Sequence, residues 1–302
     1  MASYTIHLAA AKIYLDRYAE ENTEDFLKGV IAPDLYKKPE SHYGEATSAP
    51  GLKKFQHCAG LATSFSRGYY FHLKTDLLFY NEFLEKHSFS NEIYHDYDCL
   101  NQAIIGRYHL NILPEIKPLI GFSKQTPQIL REDELFHFID FVGNMTLKEL
   151  PQPGEIAYQL GCLQYEKYIK IDYEKKEDIL ERAGYYFERA AHLEHLEAMM
   201  LLAKLYVHHG YCWEETDLDC GAPNPFVWYT DKAKLQAELW LKKAVEMGSV
   251  KAMYMLGKLY MGPFWCNDER YEYEFPDKPE YWNEETGRTW IERAKEIADS
   301  TN

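Results

Sequence analysis

Two ionisable side chains, His72 and Asp76, stand inside the aromatic and aliphatic stretch GYYFHLKTDLLFY, which runs from Gly68 to Tyr80. Residues that are four apart on a helix project from the same face, one turn above the other. An imidazole and a carboxylate placed in this way can bind one metal ion, or they can hydrogen-bond each other inside a core. The spacing of this pair alone is compatible with both interpretations.

Three further potential metal ligands precede this helix. His7 stands at the start of an apolar helical stretch, Asp34 follows Pro33 in what we expect to be a turn, and His42 comes eight residues after Asp34. A zinc ion held by imidazoles and carboxylates lowers the pKa of a bound water to about 7 and polarises a phosphoryl oxygen. Metal-assisted hydrolysis is therefore the chemistry that these residue types favour.

In this order, the segments resemble the zinc-dependent phospholipase C family, whose members carry an early His, a Gly-x-x-x-Pro-Asp turn, a Ser-His pair and a G-x-x-x-H-x-x-x-D helix. Here they read His7, GVIAPD ending at Asp34, SH at His42, and GYYFHLKTD with His72 and Asp76. The resemblance covers about the first 100 residues. It implies an all-helical hydrolase domain in which Asp34, His42, His72 and Asp76 form one zinc site. It also implies that His7 approaches Asp76 from a neighbouring site and that Asp34 can act as general base.

The residues that complete a second metal site in that family have no direct counterparts here. Ten residues after His72 the chain has Glu82 instead of a histidine, and His95 is not followed by a glutamate four residues later. We therefore expect one ion, zinc or another divalent metal, and a second only if Glu82, His95 or Asp98 substitutes. His57 lies on an apolar stretch and is expected to be a hydrogen-bonded core histidine rather than a ligand.

The elements that must position these residues are predicted to be helices. In the first half, apolar residues recur at three- and four-residue spacing, with almost no alternation of period two. The segments concerned are 6–20, 51–65, 67–86, 91–108 and 129–143. The segment KELPQPGEI (Lys148–Ile156) places two prolines and a glycine between helical stretches. Such residues interrupt helices, so we predict an all-α protein with domains at 1–150 and 156–300.

The second half contains repeats of a helical hairpin. The first helices of the hairpins are predicted at LGCLQY (160–165), LAKLY (202–206) and LGKLY (256–260). The second helices are predicted at YFERAAHLEHLEA (186–198), WLKKAVEMGSVKA (240–252) and WIERAKEIADS (290–300). The small Gly or Ala in each first helix lets it approach its neighbour closely.

These anchors resemble the Sel-type subclass of tetratricopeptide-like repeats over about 145 residues. That family serves as a protein-interaction scaffold, because stacked hairpins leave a long concave surface. The resemblance implies a short α-solenoid that binds a protein partner. Two insertions, 207–229 and 263–282, interrupt the repeats. The first holds two histidines and two cysteines, but their spacing fits no familiar zinc knuckle, so we interpret it as an aromatic-pinned loop.

Charge and hydropathy restrict the possible partners. The net charge is −15, from 33 basic and 48 acidic residues. No block of lysine and arginine relieves it, which argues against nucleic acid, since binding to a phosphate backbone depends largely on such residues. The sequence shows neither a signal-peptide pattern at Met1 nor an apolar run of about 18 residues. We therefore expect a cytoplasmic protein without an integral membrane segment.

Three classes of function are compatible with these features. The favoured one is a metal-dependent hydrolase of a phosphoester, either a phosphodiester or a phospholipid head group, with a repeat domain for protein docking. The second is a non-catalytic interaction scaffold with a degenerate metal site. The third is a hydrolase of another bond type, because HD-type phosphohydrolases also use His/Asp centres on helices. Whether the protein is an enzyme is left open by the residues alone.

Overall fold

The regular elements of the protein are helices. The computed structural model describes residues 3–36, 38–84, 92–170, 176–209, 231–261 and 283–301. Within these ranges there is no β-strand, which confirms the predicted all-α class. The chain divides into two compact units, Met1–Pro151 and Gln152–Asn302, and the division falls within the segment Lys148–Ile156.

The described part of the first unit contains six α-helices, and an irregular segment, 109–131, with a 3₁₀ turn at Lys117–Leu119, separates the last two. The helices are α1 (Tyr4–Arg17), α2 (Thr23–Tyr36), α3 (Leu52–Cys58), α4 (Ser64–Leu78), α5 (Glu92–Tyr108) and α6 (Glu132–Asn144). A 3₁₀ turn spans Pro39–His42, and α4 continues into a π-helical turn at Phe79–Phe83. Each predicted helical segment in this half overlaps at least one of these helices, but no segment was predicted at α2.

The turn predicted at Pro33 and Asp34 is wrong, because both residues lie inside α2. Proline in a helix interior removes a hydrogen bond and crowds the carbonyl four residues earlier, which is Gly29 here. Pro33 stands only three residues before the last residue of α2, Tyr36, so the helix loses little by accepting it. Asp34 is consequently held by helical backbone rather than by a loop.

Helices α2 and α4 cross with their backbones in contact. A Cβ atom added at Gly68 would lie 2.0 Å from the carbonyl oxygen of Phe26, and one at Gly29 would lie 2.1 Å from that of Phe65. Real Cβ atoms essentially never approach that closely, so each glycine is required by the crossing. This contact holds the helix that carries Asp34 directly against the helix that carries His72.

Helix α1 packs against α2, α4, α5 and α6. Its first turn is tied to α5, because the hydroxyl groups of Ser3 and Thr5 donate to Asn101 Oδ1 at 3.0 and 2.6 Å. Ser3 also caps the helix by accepting a hydrogen bond from the backbone N–H of Thr5. These bonds fix the position of His7, which follows two residues later and is fully buried.

In the second unit, each helix packs on the next one in the chain. The helices are α7 (Glu155–Lys170), α8 (Lys176–His192), α9 (Leu196–His209), α10 (Asp231–Glu246), α11 (Val250–Met261) and α12 (Glu284–Thr301). The predicted first-helix segments lie on α7, α9 and α11, and the segment 290–300 lies on α12. The prediction that 186–198 and 240–252 are each a single helix is wrong, because α8 ends at His192 and α10 at Glu246, and each segment continues through a turn into the next helix. The predicted role of the small residues is confirmed at Gly161, where a Cβ would lie 2.6 Å from the Phe187 ring, and at Gly257, where it would lie 2.7 Å from the carbonyl oxygen of Gly287.

The predictions for the two insertions fall mostly on 210–230 and 262–282, which lie outside the described residues. In the part of the chain that the structure describes, no helix combines the length and the apolar character needed to cross a membrane.

Replacing Gly68 with alanine is expected to destabilise the first unit. The added methyl group would meet the carbonyl of Phe26, and overpacking of this kind costs roughly 1–3 kcal/mol. Gly106→Ala in α5 is the matched control, because nothing lies within 4 Å of the added Cβ. Alanine there is expected to stabilise the helix by roughly 0.5–1 kcal/mol. Urea unfolding of both variants measures the difference, and equal stabilities would contradict the close crossing of α2 and α4.

Replacing Ala244 with leucine is expected to destabilise the second unit. Ala244 is fully buried in α10, so the larger side chain has no room and should lower the free energy of unfolding by roughly 1–3 kcal/mol. Ala298→Leu, at an exposed position of α12, is the control and should change stability by less than about 0.5 kcal/mol. Thermal unfolding compares the two, and an unchanged Ala244→Leu variant would show that the repeat register is wrong.

Candidate metal centre

Four side chains from three elements converge in the core of the first unit. Asp34 comes from α2, His42 from the 3₁₀ turn, and His72 and Asp76 from α4. All four are buried, and one potential ligand atom from each lies within 4.8 Å of the others. The structure therefore brings His72 and Asp76 together with Asp34 and His42, two of the upstream residues that the sequence singles out.

The distances within this cluster match the ligand shell of a small ion. His42 Nε2 lies 3.1 Å from Asp76 Oδ2 and 3.5 Å from Asp34 Oδ1. His72 Nε2 lies 3.3 Å from Asp76 Oδ2, 3.6 Å from Asp34 Oδ1 and 3.3 Å from His42 Nε2. A tetrahedral zinc ion with ligand distances of about 2.0–2.1 Å separates its ligand atoms by about 3.3–3.4 Å. Two imidazoles and two carboxylates are a suitable donor set for such an ion.

The two histidines are oriented by bonds on their outer nitrogens. His72 Nδ1 lies 2.7 Å from the carbonyl oxygen of Val30. A carbonyl only accepts, so His72 Nδ1 donates to it, and Nε2 is the ring nitrogen that faces the other ligand atoms of the cluster. His42 Nδ1 lies 3.0 Å from Ser41 Oγ, and the Tyr69 hydroxyl donates to the Ser41 carbonyl. Bonds of this kind fix the tautomer and ring orientation of metal-binding histidines.

His7 contacts the other side of the Asp76 carboxylate. Its Nε2 lies 3.3 Å from Asp76 Oδ1, and its ring stacks on that of His72 with centroids 3.9 Å apart. His7 Nδ1 is buried and has no hydrogen-bond partner among the described residues. Asp76 therefore presents Oδ2 to His42 and His72, and Oδ1 to His7. His7 thus approaches Asp76 from outside the four-residue cluster.

The charges of the buried groups are coupled. Burial by itself raises the pKa of Asp76, but His72, His7 and His42 together hold it well below its usual value. Burial alone lowers the pKa of His42, yet hydrogen bonds and charges from Asp34 and Asp76 outweigh this and raise it to about 9. Burial and the charge of His72 lower the pKa of His7 against the pull of Asp76. Without a cation, a proton on His42 balances part of the carboxylate charge.

The residues considered for a second ion do not join the centre. His95 Nε2 contacts Cys99 Sγ at 3.4 Å on its own helix, and Asp98 accepts a hydrogen bond from the N–H of Ser123 through its backbone carbonyl. Glu82 lies in the π-helical turn beyond α4. Among the described residues, no further set of three His, Cys, Asp or Glu side chains converges on one point.

The prediction of a core histidine at position 57 is wrong, because His57 is exposed. Helix α3 extends only from Leu52 to Cys58 and buries Leu52 and Phe55 on its inner face. A helix this short has few core positions, and His57 falls outside them. The exposed imidazole provides a useful reference for experiments on the buried ones.

The supporting groups of the centre were not identified from the sequence. Ser41 is adjacent to His42 in the SH pair, so its position offered a signal. The Val30 carbonyl and the Tyr69 hydroxyl offered none, because backbone carbonyls carry no residue signature and tyrosine is abundant, with 25 in the chain.

Comparison of the chain with protein families, with curated proteins and with solved structures finds no match. The properties of the centre are therefore argued from its own geometry.

Removing the imidazole of His42 is expected to change how the stability of the metal-free protein depends on pH. The pKa of His42 is raised to about 9 in the folded state. Protonated His42 therefore contributes fully to the free energy of unfolding below its unfolded pKa of about 6.5, and this contribution is lost as the pH rises through 9. The shift corresponds to roughly 3 kcal/mol. Urea unfolding in chelator at about pH 6 and about pH 9.5 compares wild type with His42→Gln. The difference between the two proteins should shrink at the higher pH, and a constant difference would contradict this charge assignment.

Proposed function

We propose that the protein is a zinc-dependent hydrolase of a phosphoester, either a phosphodiester or a phospholipid head group, with a repeat domain that docks a protein partner. The observation that carries this proposal is the set of buried contacts among Asp34, His42, His72 and Asp76, at 3.1–3.6 Å. The ligand atoms are separated as those of a zinc site are, and the Nε2 atoms of both imidazoles face the two carboxylates. Another divalent metal with similar ligand preferences would fit the same donors.

The four residues would hold the ion, and each has a distinct position in the cluster. Asp76 makes the shorter contacts, whereas Asp34 Oδ1 lies 3.5 and 3.6 Å from the imidazole nitrogens. Bound zinc supplies an activated water near neutral pH and polarises a phosphoryl oxygen. Asp34, the less tightly engaged carboxylate, is the group best placed to accept a proton as general base.

The charge of the centre would favour binding of an anionic substrate only when the ion is bound. The protein carries a net charge of −15, and two carboxylates in the cluster would repel a phosphodiester. A divalent cation compensates both carboxylates and reverses the local sign of the potential. Phosphoester binding should therefore depend strictly on metal.

A non-catalytic scaffold with a structural metal site is the second candidate, and one observation favours it. Each of the four residues offers one ligand atom, so a four-coordinate ion bound by all of them would have only protein ligands. Structural zinc sites are closed in this way, whereas catalytic sites keep a position for water or substrate. The hydrolase proposal therefore requires the ion to accept an additional ligand or to release the loosely engaged Asp34.

The proposed partner surface belongs to the second unit. On α10, Leu235 and Leu239 stand one turn apart on the same face, and they are 62% and 54% exposed. The same helix buries Leu241 and Ala244 on its other side. Exposed apolar residues at neighbouring positions are a common feature of protein-binding surfaces, which supports docking at the repeats.

Replacing His72 with alanine tests the metal centre. We expect wild-type protein, purified without a histidine tag, to contain about one equivalent of zinc, and His72→Ala to lose most of it because one of the two imidazole donors is removed. His57→Ala is the matched control, since His57 is exposed, and it should keep the metal. Elemental analysis gives the stoichiometry and circular dichroism checks the helical content.

Activity separates the two candidates. Wild type is assayed with a phosphodiester, a phosphomonoester and a phospholipid, together with Asp34→Asn, which retains a ligand oxygen but removes the base. A hydrolase should cleave a phosphoester and lose at least about 100-fold in rate on this substitution. Stoichiometric metal with no cleavage of any substrate would favour the structural site. Wild type with no bound metal, and no thermal shift on adding zinc, manganese or iron, would defeat both metal proposals.

A further inference from the structure

Two tyrosines stand one helical turn away from residues of the metal centre. Tyr4 precedes His7 by three residues on α1, and Tyr80 follows Asp76 by four residues, in the π-helical turn that continues α4. Spacings of three and four residues place side chains on the same helical face. Both phenols are therefore on the faces that α1 and α4 direct at the centre.

The Tyr80 hydroxyl lies within electrostatic reach of both carboxylates. Tyr80 is 7% exposed, and burial followed by the charges of Asp76 and Asp34 raises its pKa. Tyr97, a 5% exposed residue on α5, interacts electrostatically with Tyr80. A phenol in this setting keeps its proton over the physiological range and is a neutral hydrogen-bond donor.

Tyr4 is the first residue of α1. Its side chain is partly exposed, but its hydroxyl oxygen is buried and has no hydrogen-bond partner within the described residues. Burial and then the charge of Asp34 raise its pKa to about 12. A buried hydroxyl without a partner costs free energy, and that cost is recovered if a bound group supplies an acceptor.

We propose that Tyr4 and Tyr80 donate hydrogen bonds to the oxygens of a phosphoryl group bound at the centre. This inference rests on the proposed function. Phosphoryl oxygens are acceptors, and donors aimed at them before binding need no rearrangement when the ligand arrives. The two phenols would recognise the anion without adding charge to a centre whose carboxylates the metal already balances.

Tyr70 shows what a tyrosine of the ordinary core looks like in this unit. It lies on α4 and is 3% exposed, comparable to Tyr80. It packs in a cluster with Phe55 and Leu73, and burial alone raises its pKa. The carboxylates of the centre raise the pKa of Tyr80 and of Tyr4, but not that of Tyr70. Tyr70→Phe is therefore a matched control.

The experiment measures anion binding to the metal-loaded protein. Wild type, Tyr4→Phe, Tyr80→Phe and Tyr70→Phe are loaded with cobalt(II), whose visible absorption reports its ligands, and are titrated with inorganic phosphate. We expect each of the first two substitutions to weaken phosphate binding about tenfold, the effect of losing one hydrogen bond to a charged group. Cobalt affinity should be unchanged, and Tyr70→Phe should bind phosphate as wild type does.

Each other result has a defined meaning. Unchanged phosphate affinity in both variants, or equal weakening in Tyr70→Phe, would overturn the inference and leave the metal centre intact. Wild type that binds cobalt but not phosphate would also overturn it. Wild type that binds no cobalt would overturn the proposed function as well. If Tyr80→Phe fails to fold, Tyr4→Phe decides the question, because it removes only a hydroxyl that has no hydrogen-bond partner among the described residues.

Discussion

The burial of the Asp76 carboxylate is the constraint on which the first unit depends. A carboxylate with no solvent exposure is tolerated only when opposite charge and hydrogen bonds replace the lost hydration. Three imidazoles contact its two oxygens, at 3.1–3.3 Å. They come from α1, from the 3₁₀ turn after α2, and from α4 itself. Satisfying this one group therefore requires these elements to meet in the core.

Backbone contact supports that arrangement. The crossing of α2 and α4 through Gly29 and Gly68 brings Asp34 and the Val30 carbonyl to the face of α4 that carries His72. Cation and helix packing would therefore stabilise each other, because binding to the folded state alone shifts the unfolding equilibrium. A metal ion would replace the proton on His42 as the source of compensating charge.

The same geometry defines what separates a catalytic centre from a structural one here. If all four residues bind one four-coordinate ion, no position is left for water, so the proposed hydrolysis would require Asp34 to withdraw. Its longer contacts, at 3.5 and 3.6 Å, are the feature that distinguishes it from Asp76. In the proposed role, the phenols of Tyr4 and Tyr80 would give the centre donors that a purely structural metal site does not need.

The sequence by itself determined the helical class, the first-helix segments of the second half, and the pairing of His72 with Asp76, because all of these depend on short, regular spacings along one helix. It also indicated Asp34, His42 and His7, through their resemblance to a known order of motifs. Only the tertiary structure decided that Asp34 lies inside a helix, that His57 faces solvent, and that Val30 and Ser41 orient the imidazoles. The bond between His72 and the Val30 carbonyl joins residues 42 positions apart, and spacing along one helix carries no information about such contacts.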